Sequence, residues 1–267
     1  MESLLQALNC IEKQQAYPFA VYTSLKEQRL LNVPITKPLL IVLLKGEKEL
    51  GNNRELKCQS GDFIFLSDSP SVHMRNIPDE QEYCALLIEF DYQDFEGLQT
   101  NKLAYPTFCS GRTEPVLENT LLQFVQSVSW SPRQLWSSRK REILQILCHM
   151  GYKQVLSMLG KSQTSYRLLE LFNVKGFGDA SINDICDHLA MSESTLRRKL
   201  KAEGTSLQEI KDQARFGLGL HLLQTSHYAI SLIAEKCGYT SQSRFSERFK
   251  ERFGLTPTEL KKTKMAD

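Results

Sequence analysis

The stretch CGYTSQSRFSERFKERFG, residues 237–254, sets phenylalanine at 245, 249 and 253 and fills the gaps with arginine, lysine, serine and glutamate. A spacing of four predicts a helix with one apolar stripe and one polar face. Gly254 closes that helix, and Ile230, Ile233 and Ala234 predict a shorter helix just upstream, ending before Gly238. Short helix, tight turn, second helix is the helix-turn-helix, whose first helix braces on the DNA backbone while its second enters the major groove.

The pattern occurs twice. Ser181 with Asp184 three positions on has the form of a capping box leading into Ile182, Ile185 and Leu189. Ser192 can cap the next helix, which carries Leu196 and Leu200 and stops at Gly204. Between the two units, Leu207, Ile210, Ala214, Leu218 and Leu222 predict one long helix. Thr256, Pro257 and Glu259 cap and start a last one. The units are thus placed at 181–204 and 229–254, and a rigid helix between them could present both to consecutive major grooves, roughly 34 Å apart.

Rotation by about 100° per residue shows what each second helix offers solvent. With Leu196 and Leu200 inward, Ser194, Arg198 and Lys201 point out, flanked by Thr195 and Arg197. With Phe245 and Phe249 inward, Ser243, Arg244, Glu247 and Lys250 point out. Arginine bonds guanine bidentately, glutamate accepts from the cytosine amino group, and serine serves base or phosphate. Arg198 and Arg244 are the expected base readers, with Ser194, Gln242, Ser243 and Glu247 secondary. Lys201, Arg248 and Lys250 are expected on phosphates, which set register without reading sequence.

The amino-terminal half has a different period. PLLIVLLKG (38–46), GDFIFLSD (61–68) and YCALLIEFD (83–91) are short apolar runs divided by turn residues, which predicts strands of a small sandwich or barrel. Helical spacing follows at 116–128 and 139–159. The two glycines of NVKGFGDAS (173–181) mark a linker. The fold class is therefore α+β: a β-domain with helices over 1–165, a linker over 166–180 and an all-α domain over 181–267.

Composition removes several function classes. Across 267 residues the net charge is +2, and 15 Lys/Arg against 12 Asp/Glu from residue 171 onward make the last third the basic part. There is no run of 18 apolar residues, and MESLLQALNCIEKQQ carries charges where a signal peptide needs an apolar core, so neither membrane insertion nor export is expected; the expected location is the cytoplasm. Seven scattered cysteines, none in CxxC or CxxH spacing, point to buried thiols rather than to disulfides or zinc.

The elements R-x-x-x-G-x-x-LL (215–223), I-x-x-IA-x-x-CGY (230–239), S-x-S-x-F-x-x-x-F-K (241–250) and FG-x-x-P (253–257) together resemble the signature of the AraC/XylS family of bacterial transcription regulators. DICDHLAMSESTLRRKLKAEGTS resembles that family's first helix-turn-helix, and is similar to a subgroup of enteric stress and virulence regulators. The resemblance covers about the last third of the chain; in outline, the amino-terminal half is similar to the cupin-like β-barrel of many members. It implies a regulator, an activator, whose partners are double-stranded DNA and RNA polymerase. The amino-terminal domain would sense a fatty-acid-like small molecule or a protein effector, form a homodimer, or both. A carboxylate effector would need a cation such as Lys37 or Arg29. Gly219 departs from the family's usual alanine; it costs about 1 kcal/mol of helix stability and is expected to loosen the coupling between the units. A cupin enzyme would hold metal with several histidines, but His73 is the only one before residue 149, so no catalytic, metal or cofactor site is expected.

Overall fold

The computed structural model describes residues 1–11, 17–51, 55–67, 71–80, 82–98, 107–158, 164–175 and 181–264. Helix α1 (Glu2–Asn9) precedes nine strands: β1 (Ala20–Ser24), β2 (Gln28–Val33), β3 (Leu39–Lys45), β4 (Glu47–Leu50), β5 (Leu56–Gln59), β6 (Asp62–Leu66), β7 (Val72–Ile77), β8 (Tyr83–Glu89) and β9 (Phe108–Arg112). They form two antiparallel sheets, β1-β8-β3-β6-β9 and β2-β7-β4-β5. No pairing joins the edges of the two sheets among the described residues, so the expected cupin-like barrel is an open sandwich.

The strand period explains why β3 reads as an unbroken apolar run. Leu39, Ile41 and Leu43 face the four-stranded sheet, while Leu40, Val42 and Leu44 face helices α1, α2 (Pro115–Ser127) and α3 (Trp136–His149). A sheet covered on both sides needs no polar face. The second helical span of the sequence reading, 139–159, runs too far: α3 stops at His149, Gly151 follows at φ +98°, and a 3-10 turn at Lys153–Ser157 drops Val155 into the core. Only glycine takes that backbone conformation without strain.

Helix α4 (Thr164–Lys175) occupies ground the sequence reading gave to a linker at 166–180. Its Leu168, Leu169, Leu171 and Phe172 are buried against Ile185, Leu189, Leu196 and Leu200, so this segment contributes core rather than spacer; residues 176–180 lie outside the described ones. Next come α5 (Ile182–Leu189), α6 (Glu193–Ala202), α7 (Leu207–Thr225), α8 (Ile230–Lys236), α9 (Gln242–Phe253) and α10 (Pro257–Lys262). The expected caps are in place, Ser181 and Thr256 in reciprocal boxes with Asp184 and Glu259 and Ser192 on the Thr195 amide, and Ser241 adds a further one on the Arg244 amide. Gly254 ends α9 in the left-handed region, as a helix stop requires.

Helix α7 is buried on two sides. Ile210 and Ala214 belong to the core of α4–α6, whereas Phe216, Leu220 and Leu223 join a core shared by α8–α10 and the inner face of the sandwich. Gly219 sits where α9 crosses. A Cβ there would meet the Phe245 ring at 3.1 Å and Cys237 Sγ at 3.3 Å, so glycine brings the helices together and the loosening expected from sequence is not what the packing gives. At Gly217 a Cβ would meet only Thr36 and Pro34, at 3.8 and 3.9 Å. Gly217→Ala should therefore gain about 1 kcal/mol in urea unfolding from helix propensity. Gly219→Ala should gain clearly less, because Phe245 or Cys237 has to move. Equal gains at both positions would contradict the close packing.

Candidate nucleic-acid interface

The second helices of the two units, α6 and α9, bury leucine and phenylalanine and expose their other faces. Ser194, Arg197, Arg198 and Lys201 on α6 are exposed, with Thr195 half-buried; Gln242, Ser243, Arg244, Glu247, Arg248 and Lys250 on α9 are all exposed. Arg198, Lys201, Arg244 and Glu247 make no hydrogen bond or ion pair among the described residues, so their charges are uncommitted. Others are engaged. Ser194 and Thr195 hydroxyls lie 3.1 and 3.0 Å from the Ser192 hydroxyl that caps α6, and Arg197 pairs with Glu193 at 2.6 Å. Arg248 reaches Asp212 on α7 at 3.4 Å, so it leans along α9 toward its neighbour helix.

Residues that the sequence reading did not single out hold these helices in place. Arg215, inside the R-x-x-x-G motif, donates to the Gly238 carbonyl at 3.3 Å and lies 5.4 Å from the Tyr239 ring, fastening α7 to the turn between α8 and α9. Glu203, at the end of α6, accepts from the Thr164 and Ser165 amides at 2.7 and 2.9 Å and so occupies the positive end of α4. The second unit is also bound to the sandwich. A register break between Leu30 and Val33 turns Asn32 to φ +48°. Its carbonyl accepts from Arg252 Nε at 2.8 Å, while its Nδ2 donates to the Arg252 carbonyl at 3.3 Å.

A cavity of about 90 Å³ lies between the sheets and α7, beside an open cleft of about 420 Å³ that shares Tyr22, Lys37 and His221 with it. Lys37 is at the shared wall, already paired with Asp91 at 2.6 Å. Burial lowers the Lys37 pKa, but the Asp91 carboxylate outweighs this and raises it overall. Arg29 is exposed on β2 and does not line the cavity. Deeper in, Lys48 is 4% exposed, a position that a Lys between two glutamates in sequence does not announce. His73 stands in β7, its Nδ1 accepting from the Asn32 amide at 3.3 Å. Among the described residues no group of three or more His, Cys, Asp or Glu is placed to hold a metal, and no helix is long and apolar enough to cross a membrane.

Residues 185–263 match the family described as helix-turn-helix domain. The regulator YdeO of Escherichia coli is 36% identical over 108 residues, 40% of this chain and 40% of that protein. The regulator GadX of Escherichia coli is 39% identical over 75 residues, 28% of this chain and 27% of that protein. The urease operon transcriptional activator of Escherichia coli is 32% identical over 80 residues, 30% of this chain and 27% of that protein. Residues 185–263 are a helix-turn-helix domain. The matches span 40% or less of these relatives' own length. The whole fold is also found: ToxT from Vibrio cholerae, solved without ligand, superposes with a TM-score of 0.67 at 17% identity over 94% of this chain and 99% of its own. ToxT bound to an unsaturated fatty acid gives 0.64 at 15% identity over 96% and 99%. The sandwich and the helix-turn-helix domain together therefore share the fold of ToxT.

Burial raises the Glu203 pKa, but the Ser165 and Thr164 amides outweigh it, and the net shift is downward. A depressed folded-state value means its stabilisation is complete above the unfolded glutamate value, about 4.3, and lost as pH falls through the lower folded one. Urea midpoints between pH 6 and 3 should show this loss in the native protein, and Glu203→Gln should flatten it. An unchanged profile would remove Glu203 from its role.

Proposed function

We propose that the chain is a sequence-specific DNA-binding transcription regulator, an activator acting in the cytoplasm, in which α6 and α9 read a duplex. The observation that carries the reading is that two similarly capped helices each present an arginine with no partner among the described residues, Arg198 and Arg244, on an otherwise polar face. An arginine not held by a neighbour three or four residues away keeps its guanidinium free to bond a base edge. Arg198 and Arg244 are assigned to base edges; Ser194, Gln242, Ser243 and Glu247 assist; Lys201 and Lys250 hold phosphates. Thr195 supports the start of α6, while Arg197 and Arg248 would exchange Glu193 and Asp212 for phosphate on binding. The activator role follows one of the named relatives, an operon activator, and RNA polymerase is the partner an activator would engage.

The sandwich is the sensing half, and its dimerising role stays within the same reading. The fatty acid held by ToxT favours a small-molecule effector in the cavity against α7. A protein effector acting on the sandwich is the second reading, and the cavity's contact with α7 favours the first.

The test begins with duplexes selected from a random pool by the full chain. On the selected site Arg244→Ala should weaken binding by about 1–3 kcal/mol and relax preference at one base pair. Lys250→Ala should weaken selected and random duplex alike and lower the salt slope by about one. Failure to enrich any sequence, or equal losses for both variants on both duplexes, would defeat the reading.

A further inference from the structure

The inner end of the cavity has two unmet chemical demands. Lys48 on β4 is 4% exposed, and among the described residues its ammonium has a single hydrogen-bond partner, the neutral Asn76 Oδ1 at 2.6 Å, with the Tyr83 ring centre 5.7 Å away. No carboxylate lies within ion-pair distance among the described residues. Glu49, the next residue, pairs instead with Arg75 at 3.1 Å. An ammonium removed from water without a counter-ion is strongly disfavoured. The same burial pushes the Lys48 pKa down to about 7, with the Cys58 thiol acting weakly the other way.

The second demand comes from Gln224 on α7, 2% exposed and also lining the cavity. Gln28 Oε1 accepts from both Asn76 Nδ2 and Gln224 Nε2, each at 3.0 Å, so the amide chain is closed on that side. Gln224 Oε1 is left buried with no donor. A cation lacking an anion and an acceptor lacking a donor thus stand along one chain of side chains, Lys48, Asn76, Gln28 and Gln224. The rest of the wall is apolar at Leu30, Ile41, Met74 and Leu220 and polar where it meets the cleft, at Tyr22, Lys37, Glu89 and His221.

We propose that this end of the cavity binds a short hydroxycarboxylic acid, its carboxylate on Lys48 and its hydroxyl donating to Gln224 Oε1. The proposal rests on the sensing half of the function above and names its ligand class and anchor. Size sets the length of the acid. At about 10–15 Å³ for each water-sized group, 90 Å³ admits a ligand of about six to nine non-hydrogen atoms, the range of butyrate and 3-hydroxybutyrate. Lys37 is not the anchor, because Asp91 already neutralises it. Contact with Gln224 places the ligand directly against α7, the helix common to both reading units.

The test is calorimetric titration of the full chain with 3-hydroxybutyrate, butyrate and 1,3-butanediol, and it needs no DNA, so its failure is distinct from a failure to select a duplex. 3-Hydroxybutyrate should bind tightest, butyrate more weakly, and the uncharged diol at least tenfold more weakly than 3-hydroxybutyrate. Lys48→Met removes a buried charge without leaving a hole; it should fold and should lose at least tenfold in affinity for both acids. Gln224→Met should bring 3-hydroxybutyrate down to the affinity of butyrate and leave butyrate unchanged. The proposal is overturned if neither acid binds, if the diol binds as well as the acids, if Lys48→Met binds as the native chain does, or if Lys37→Met abolishes binding while Lys48→Met keeps it.

Discussion

The packing of the Phe245 ring of α9 onto the α7 backbone at Gly219 is the contact from which the carboxyl-terminal half takes its shape. With no Cβ at 219, the Phe245 ring and Cys237 settle onto the α7 backbone, and Phe249 and Phe253 continue the stripe at ring separations of 5.5 and 4.4 Å. Phe253 meets Phe216 edge-on at 5.9 Å, which brings the far end of α9 onto α7 as well. Aromatic pairs in this geometry add about 0.5–1.5 kcal/mol each beyond the area they bury. The polar face of α9 is turned outward because its other face has no freedom.

The two reading units are consequently unequal in their attachments. The second shares one apolar core with the sandwich and is pinned at Asn32 and Arg252, so it is an extension of the amino-terminal domain. The first has its own core with α4 and is joined to the second chiefly through α7. Cores held together by many buried side chains shift as units, and the joint with fewest apolar contacts is where relative motion is cheapest. Along α7 the buried face changes from one core to the other, with Leu218 packed against both.

Local signals account for what was legible in the sequence. Each cap read from Ser181, Ser192 and Thr256 lies within three residues of its partner, and the leucine and phenylalanine stripes repeat at helical spacing. The strands were legible for the same reason, although β3, apolar on both faces, cannot say which face meets which layer. Nonlocal features were hidden. The glycines of 173–181 suggested a spacer because the partners of Leu168 and Phe172 stand beyond them in the chain. Gly219 read as weakness because the ring it accommodates is 26 positions away. Lys48 read as one more surface charge, since only the assembled sandwich removes it from water.

The polar chain that crosses the interface explains how the sandwich and the second unit stay in register. Gln28 is its hub: Oε1 takes the amides of Asn76 and Gln224, and Nε2 donates to Thr263 Oγ1 at 2.7 Å. The Thr263 carbonyl in turn accepts from the Leu25 amide at 2.7 Å and from the Lys26 amide at 3.1 Å, so the end of α10 is tied to the turn between β1 and β2. Sliding α7 by a residue would strand several of these groups away from water at about 1–3 kcal/mol each. An apolar interface of the same area tolerates small slips, because dispersion contacts re-form in many registers, whereas hydrogen bonds do not. The apolar stripe therefore supplies the adhesion of α7 to the sandwich, and Gln28 with its partners supplies the position.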